Sequence, residues 1–208
     1  MESMNTKSTT AGFTLIELLT VLVVIGILLA MSAGAFNKST GAARLTSAGN
    51  NLASALVQAQ QDAIAGSSDV EVRFYQPSGI DEPMSKWSIL TVRENPDGTH
   101  RAVGSPLHLP NEVILNRSDS LSSLIGGMDL EIDAENLLTA NSSAPLSYTS
   151  FRFYSNGSTN LPVTSSGDTW HITLMDRRGG DGDSPSPPSN FFTIRVDPFT
   201  GAIRTFRP

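Results

Sequence analysis

The 208-residue sequence contains no cysteine. Disulfides, thiol catalysis, thiol redox switching and Cys-type zinc sites are therefore excluded, and an exported domain of this chain depends on its packed core. Charge is sparse as well: 14 Lys and Arg stand against 20 Asp and Glu, a formal charge of −6, with no block of one sign. That argues against broad, nonspecific nucleic-acid binding, which needs clustered Lys and Arg. There is no G-x-S-x-G elbow, no phosphate-binding Gly-Lys motif and no EF-hand spacing. The histidines, His100, His108 and His171, are scattered without an i, i+4 pair, and each reads as a satisfied or exposed side chain. Nothing argues for an enzyme, and no cofactor is expected.

One thing is present in excess. Gly12 to Phe36 reads GFTLIELLTVLVVIGILLAMSAGAF, an apolar run broken by a single carboxylate, Glu17. A hydrocarbon core of about 30 Å takes about 20 mostly apolar residues of helix, so residues 13–36 are long enough to span it. A carboxylate inside such a segment is costly, and by default it is a functional group awaiting a cationic partner. A secretory signal peptide fits poorly, because its apolar region is shorter and its cut site follows that region. Gly26, Ala30 and Gly34 share one helix face, where small residues let helices approach closely; chance is an equal competitor, and Gly26 could instead soften the helix.

The segment resembles the type IV prepilin signature: Gly12, Phe13, Thr14, Leu15, the acid Glu17, then an apolar helix. The resemblance implies cleavage by a prepilin peptidase between Gly12 and Phe13, and N-methylation of Phe13. It also implies that Glu17 pairs with the methylated amine of a neighbouring subunit. The Phe13 amine lies about one helical turn from Glu17, so pairing within one chain is open too. The plain alternative is a carboxylate that reaches the headgroups and has no assembly role. Removing residues 1–12 takes away Lys7 and Glu2, so the charge remains −6. Orientation is not set by charge, since Lys7 precedes the run and Lys38 and Arg44 follow it. The resemblance implies a single pass of the bacterial inner membrane, with the N-terminus cytoplasmic and the C-terminal domain periplasmic.

Beyond a turn-like stretch from Asn37 to Gly41, Leu45, Ala48, Leu52, Ala55, Leu56, Ala59 and Ala63 recur at helical spacing. Gln58, Gln60, Gln61 and Asp62 occupy the other face, and Gly66 is placed to stop the helix. The organisation is then a leader at 1–12, a transmembrane helix at 13–36, an amphipathic continuation at 37–66, and a β-rich periplasmic domain at 67–208. Strand patterns follow at 70–74, 87–92, 113–115, 130–132, 151–154, 170–174, 191–196 and 202–206. Val70, Val72 and Phe74 alternate with Glu71 and Arg73 as in a half-buried strand. The last two strands are joined by Asp197-Pro-Phe-Thr-Gly201, a hairpin signal. The expected fold class is α+β, a long N-terminal pilin helix packed against antiparallel sheets.

Residues 52–74 (LASALVQAQQDAIAGSSDVEVRF), FRFYSNGS at 151–158, Trp170 to Leu174 and the Thr200-Gly201 hairpin resemble GspH/FimT-type minor pseudopilins. The ending FFTIRVDPFTGAIRTFRP, with VEVRFY, also resembles the pseudopilin-like Verru_Chthon cassette protein D group. The former resemblance implies a minor pseudopilin, a structural subunit of a type II secretion-like pseudopilus. Its partners would be the prepilin peptidase, other pseudopilins, an inner-membrane assembly platform and membrane lipid. The alternative is a minor type IV pilin that binds DNA in an uptake pilus. In its favour are Arg177, Arg178, Arg195, Arg204 and Arg207; Asp181, Asp183 and Asp197 weaken it, so nucleic acid is not the expected partner.

Three further features invite chemistry. Asp129, Glu131, Asp133 and Glu135 alternate with Leu130, Ile132 and Ala134, which reads as the solvated face of a strand. Asp176, Asp181 and Asp183 surround a Gly-rich loop of the kind that can hold Ca²⁺, though no metal is expected. The 177–190 stretch reads as an exposed, mobile connection, and 118–127 as poorly patterned. Trp87, Trp170, Phe151, Phe153, Phe191 and Phe192 read as core, with one of the adjacent pair Phe191 and Phe192 left for a partner.

Overall fold

A computed structural model of the chain describes residues 14–77, 86–138, 146–163, 170–180 and 182–208. The chain divides into two compact units, Met1–Thr40 and Gly41–Pro208, and helix α1 (Leu15–Ala65) contributes to both. Residues 37–41, expected to be turn-like, are helical. Only Gly41 among them is a poor helix former, at about 1 kcal/mol, and the turns on either side outweigh that cost.

In the first unit every large apolar side chain described along α1, from Leu15 to Leu29, is exposed, at 46% to 82%. A helix that is apolar on all sides has no stable place in water alone. Among the described residues no helix is long and apolar enough to cross a membrane. The sequence run reaches residue 36, whereas the side chains of 31–39 lie outside the described residues.

In the second unit the α1 stripe Leu45, Ala48, Leu52, Leu56, Ala59 and Ala63 is buried, with Ala55 at its margin. Burying each leucine contributes about 1.5–3 kcal/mol. The strands are β1 (Val70–Tyr75), β2 (Ser88–Glu94), β3 (His100–Ala102), β4 (Leu107–His108), β5 (Val113–Leu115), β6 (Glu131–Ile132), β7 (Ser147–Phe153), β8 (Trp170–Asp176), β9 (Phe191–Val196) and β10 (Ile203–Phe206). A four-residue helix, α2 (Ser123–Gly126), follows β5. One sheet has the order β3-β2-β1-β7-β6, with β4 also on β2; the other has the order β10-β9-β8-β5. Every pairing is antiparallel. The inner residues Val70, Val72, Phe74, Phe151 and Phe153 of the first sheet join Ile172, Leu174, Phe192, Ile194 and Val196 of the second and the helix stripe in one core.

β1 is not half-buried. It is the central strand of its sheet and is buried at all six positions, including Glu71 at 8% and Arg73 at 3%. Its outer face is closed by a second apolar cluster, Tyr75, Leu90, Val92, Leu146 and Tyr148, against which Ala102, Leu137 and Leu138 pack. Helix α1 ends at Ala65, with Gly66 just past it as expected, and the left-handed residue that follows is Ser67 (φ 46). Gly66 leaves room for the Arg93 guanidinium, whose Nη2 donates to the Asp62 carbonyl at 3.0 Å and so supplies a cation at the helix C-terminus.

Candidate functional site

The proposed cleavage pair, Gly12 and Phe13, lies outside the described residues. The structure begins at Thr14, the residue before α1, and gives it a definite task. The Glu17 amide donates to Thr14 Oγ1 at 3.3 Å and to the Thr14 carbonyl at 3.1 Å, and the Leu18 amide donates to that carbonyl at 3.2 Å. Thr14 is thus an N-cap, and Thr14-x-x-Glu17 has the sequence form of a capping box. This signal was available in the sequence and went unread. Glu17 stands in the first turn, where a carboxylate is favoured by the positive end of the helix dipole. Thr20 Oγ1 donates back to the Glu17 carbonyl at 2.9 Å. Glu17 is exposed, so its carboxylate is open to a partner.

Gly26 and Ala30 are exposed on the same helix, and a Cβ added at Gly26 would meet nothing within 4 Å. The position is therefore free for a close neighbour. The side-chain face at Gly34 lies outside the described residues.

The late loop is organised differently from a calcium site. Asp183 Oδ1 accepts from Arg117 Nε at 2.7 Å, so a cationic side chain already occupies that carboxylate. Asp176 Oδ1 accepts from the Arg178 amide at 2.9 Å and caps the 3-10 turn Arg177–Gly179. Asp181 lies outside the described residues, among which no group of three or more potential ligands could hold a metal ion. The 177–190 connection is stitched to 116–120: the Arg117 amide donates to the Gly182 carbonyl at 2.7 Å, and Asn116 Nδ2 to the Ser184 carbonyl at 3.0 Å. The poorly patterned 118–127 stretch completes the edge of β8, where Ser122 Oγ accepts from the Thr173 amide at 2.9 Å and Ser123 Oγ from the His171 amide at 3.0 Å. These hydroxyls stand where a neighbouring strand would offer carbonyls.

Asp129, Glu131 and Glu135 are exposed as expected of a solvated face, but Asp133 is not, and the apolar residues between them are not covered. Asp133 is 1% exposed, whereas Leu130 and Ile132 are 59% and 67% exposed. The reason is the outer cluster around Arg73. Arg73 Nε donates to Glu71 Oε1 at 2.8 Å, and its Nη1 lies 3.6 Å from Asp133 Oδ1. The guanidinium carbon sits 4.5 Å from the centre of the Tyr148 ring. Tyr75 Oη donates to Asp133 Oδ2 at 2.9 Å, and Tyr148 Oη to Glu131 Oε2 at 3.1 Å. Burial pushes both phenols well above the usual tyrosine range; Asp133 adds to this at Tyr75, while Arg73 opposes it at Tyr148. Burial alone would lower the Arg73 guanidinium, but the Glu71 carboxylate holds its proton and the net shift is upward. Asp133 Oδ1 makes no hydrogen bond and is compensated only by the Arg73 charge. A buried ion pair of this kind fixes geometry more than it adds stability, so this cluster reads as structural.

The histidines are all engaged: His100 with Glu135 at 3.1 Å, His108 with Ser88 at 2.7 Å, and His171 with Ser123 at 3.2 Å. Of the five late arginines, Arg195 and Arg204 face each other as cross-strand partners between β9 and β10. Arg207 instead donates to the Ala42 carbonyl at 3.3 Å and to Asn190 Oδ1 at 3.2 Å. Phe192 is buried, whereas Phe191 is half-buried with its ring 6.2 Å from that of Phe206. Among the described residues the exposed aromatics are Tyr154, Phe199 and Phe206.

Residues 7–33 match the family described as the prokaryotic N-terminal methylation motif. No curated protein matches the chain. Among solved structures, the chain is similar to the minor pseudopilin EpsH from the type 2 secretion system of Vibrio cholerae, at 12% identity and a TM-score of 0.44, over 79% of this chain and 98% of that one.

Proposed function

We propose that this chain is a type IV pilin-like structural subunit, a minor pseudopilin of a type II secretion-like system. It would be cut between Gly12 and Phe13, methylated on Phe13, and assembled through its first helix. One observation carries the reading. The methylation motif at 7–33 runs into a helix whose apolar side chains are uncovered on every side, while residues 41–208 close a core of their own. The uncovered helix needs lipid before assembly and other helices after it. The apolar environment is similar in both, so the transfer need not be prohibitive. The action is assembly rather than catalysis. The proposed location is the inner membrane, with the peptidase, other pseudopilins, an assembly platform and lipid as partners.

The decisive experiment is mass spectrometry of the protein purified from membranes. A chain beginning at methylated Phe13 is expected, with Gly12→Ala or a bulkier replacement leaving the precursor. A mature chain beginning elsewhere would remove the reading. The DNA-uptake alternative draws on Arg195 and Arg204, and a gel shift across a salt series tests it, since phosphate contacts impose a steep salt slope.

A further inference from the structure

Among the described residues the sheet edges without a strand beside them are those of β3 with β4, β5, β6 and β10, and the outer edges of β6 and β10 are the two whose side-chain alternation is complementary. They differ in chemistry. Around β6, Leu130 and Ile132 point to one face and are exposed, and Glu131, with the exposed Asp129 in the same parity, belongs to the other. Glu131 sits on the outer face of its sheet, opposite Tyr148 in register. On β10 the same alternation appears with the opposite charge. Ile203 and Thr205 line a groove of about 590 Å³ with α1, whose Ala53 and Val57 form its apolar floor and whose Ser54, Gln58, Gln61 and Asp62 form its polar rim. Arg204 and Phe206 point to the other face, Phe206 being 60% exposed.

Arg204 directly faces Arg195, and neither is in an ion pair among the described residues. Like charges opposite each other on neighbouring strands repel, so this pair is left wanting an acid. Asp197, two residues from Arg195, is engaged by the turn amides of Phe199 and Thr200. Exposed edges are normally blunted, and an arginine alone could serve that purpose. It does not account for two exposed apolar side chains at the other edge.

We infer that the β6 edge of one copy docks beside the β10 edge of a second copy, head to tail. Leu130 and Ile132 would enter the groove at Ile203, and Asp129 would face Arg204, while the Glu131 carboxylate stays with Tyr148 and Ser150. The alternation of the two strands permits both sets of contacts at once. Because the two edges differ, the contact is heterologous and propagates from copy to copy instead of closing as a two-fold dimer. This surface uses neither Glu17 nor the methylation motif, so it goes beyond the proposed function.

The test uses the full chain in detergent micelles, and the absence of native cysteine makes reporters clean. Ile132→Cys and Thr205→Cys chains are mixed and treated with a short bismaleimide. Cross-linked 132–205 pairs are expected ahead of 132–132 and 205–205 pairs. Adding Arg204→Glu to the Thr205→Cys chain should lower the yield about three- to tenfold, the effect of replacing an attraction by a repulsion at an exposed edge. Adding Asp129→Arg to the Ile132→Cys chain should then restore it, which no folding defect could do. A predominance of like pairs, an absence of cross-links, or indifference to Arg204→Glu overturns the proposal. So does an Arg204→Glu effect seen only on retention of a DNA duplex. Glu17→Leu is expected to leave the yield unchanged, so failure of the helix-docking reading and failure of this one fall on different variants.

Discussion

Gly49 lies inside α1, and its replacement sets two known effects against each other. A Cβ at Gly49 would stand 2.5 Å from Cγ and 2.6 Å from Cε1 of Phe192. Carbon atoms in contact sit about 3.5–4.0 Å apart, so the ring would have to retreat by about 1 Å or lift the second sheet from the helix. Phe192 is 3% exposed and is held opposite Leu174 in the β8–β9 register, which leaves it little room. Overpacking of this kind costs about 1–3 kcal/mol. Alanine in a helix interior gains about 1 kcal/mol over glycine. Gly49→Ala should therefore destabilise by up to about 2 kcal/mol despite the better helix former. The assay is urea unfolding of the chain from residue 41 onward, followed by tryptophan fluorescence, with Trp87 as the buried reporter. The midpoint should fall at constant m. Gly49→Ala combined with Phe192→Leu should be more stable than the two single effects predict, by about 0.5 kcal/mol or more. A stabilising Gly49→Ala with no coupling to Phe192 would show that the close approach imposes nothing.

Arg73→Met should cost about 3–5 kcal/mol, because Asp133 would remain buried without its cation and Glu71 would keep only Arg152, at 3.7 Å; urea unfolding reads it directly. Gly201→Ala should destabilise the closing hairpin, since φ is +63 and the added Cβ would collide with the Gly157 carbonyl and lie 2.5 Å from Gln60 Nε2; loss of amide protection at residues 193–206 in hydrogen exchange is the expected result. Asp197 is held below its ordinary value of 3.8 chiefly by the Thr200 amide and hydroxyl. A depressed carboxylate adds stability above its unfolded pKa and loses it as pH falls through the folded value, so the Phe199 and Thr200 amides should lose protection only in acid, and not in Asp197→Ala.

Most strands were legible because their alternation is local: β5 and β9 have the expected bounds, and the helix stripe from Leu45 to Ala63 is the buried one. β3 and β4 were not, being three and two residues long and owing their place to β2 rather than to any pattern of their own. Asp133 shows a deeper limit. Its alternation with Ala134 and Ile132 gives no sign that it differs from Asp129, Glu131 and Glu135, which stay exposed. Arg73, some sixty residues earlier, draws Asp133 alone inward, and no local window contains both. The serines of 118–127 failed for the opposite reason: their hydroxyls complete a strand edge, a task that leaves no periodicity. At the first helix the signal is local, since Glu17 lies within the methylation motif at 7–33.

Glu17 has two physical justifications that act on different states of the molecule. In the isolated helix it occupies the third position after the Thr14 cap, where its carboxylate meets the helix dipole; such a position contributes about 0.3–1 kcal/mol. In the proposed assembly it would meet the terminal amine of a neighbour, and there the charge itself would matter. Glutamine separates the two, because it also serves at the third position of a capping box but carries no charge. Glu17→Gln should keep the helix start and lose helix-to-helix docking, as should Glu17→Leu, while Thr14→Ala should fray the start and leave docking largely intact. Crosslinking with other pseudopilins in membranes reads docking, and amide exchange at Glu17 and Leu18 reads the cap. If Glu17→Gln docks like the parent and only Thr14→Ala impairs assembly, Glu17 is a capping residue and the charge-pairing mechanism is wrong.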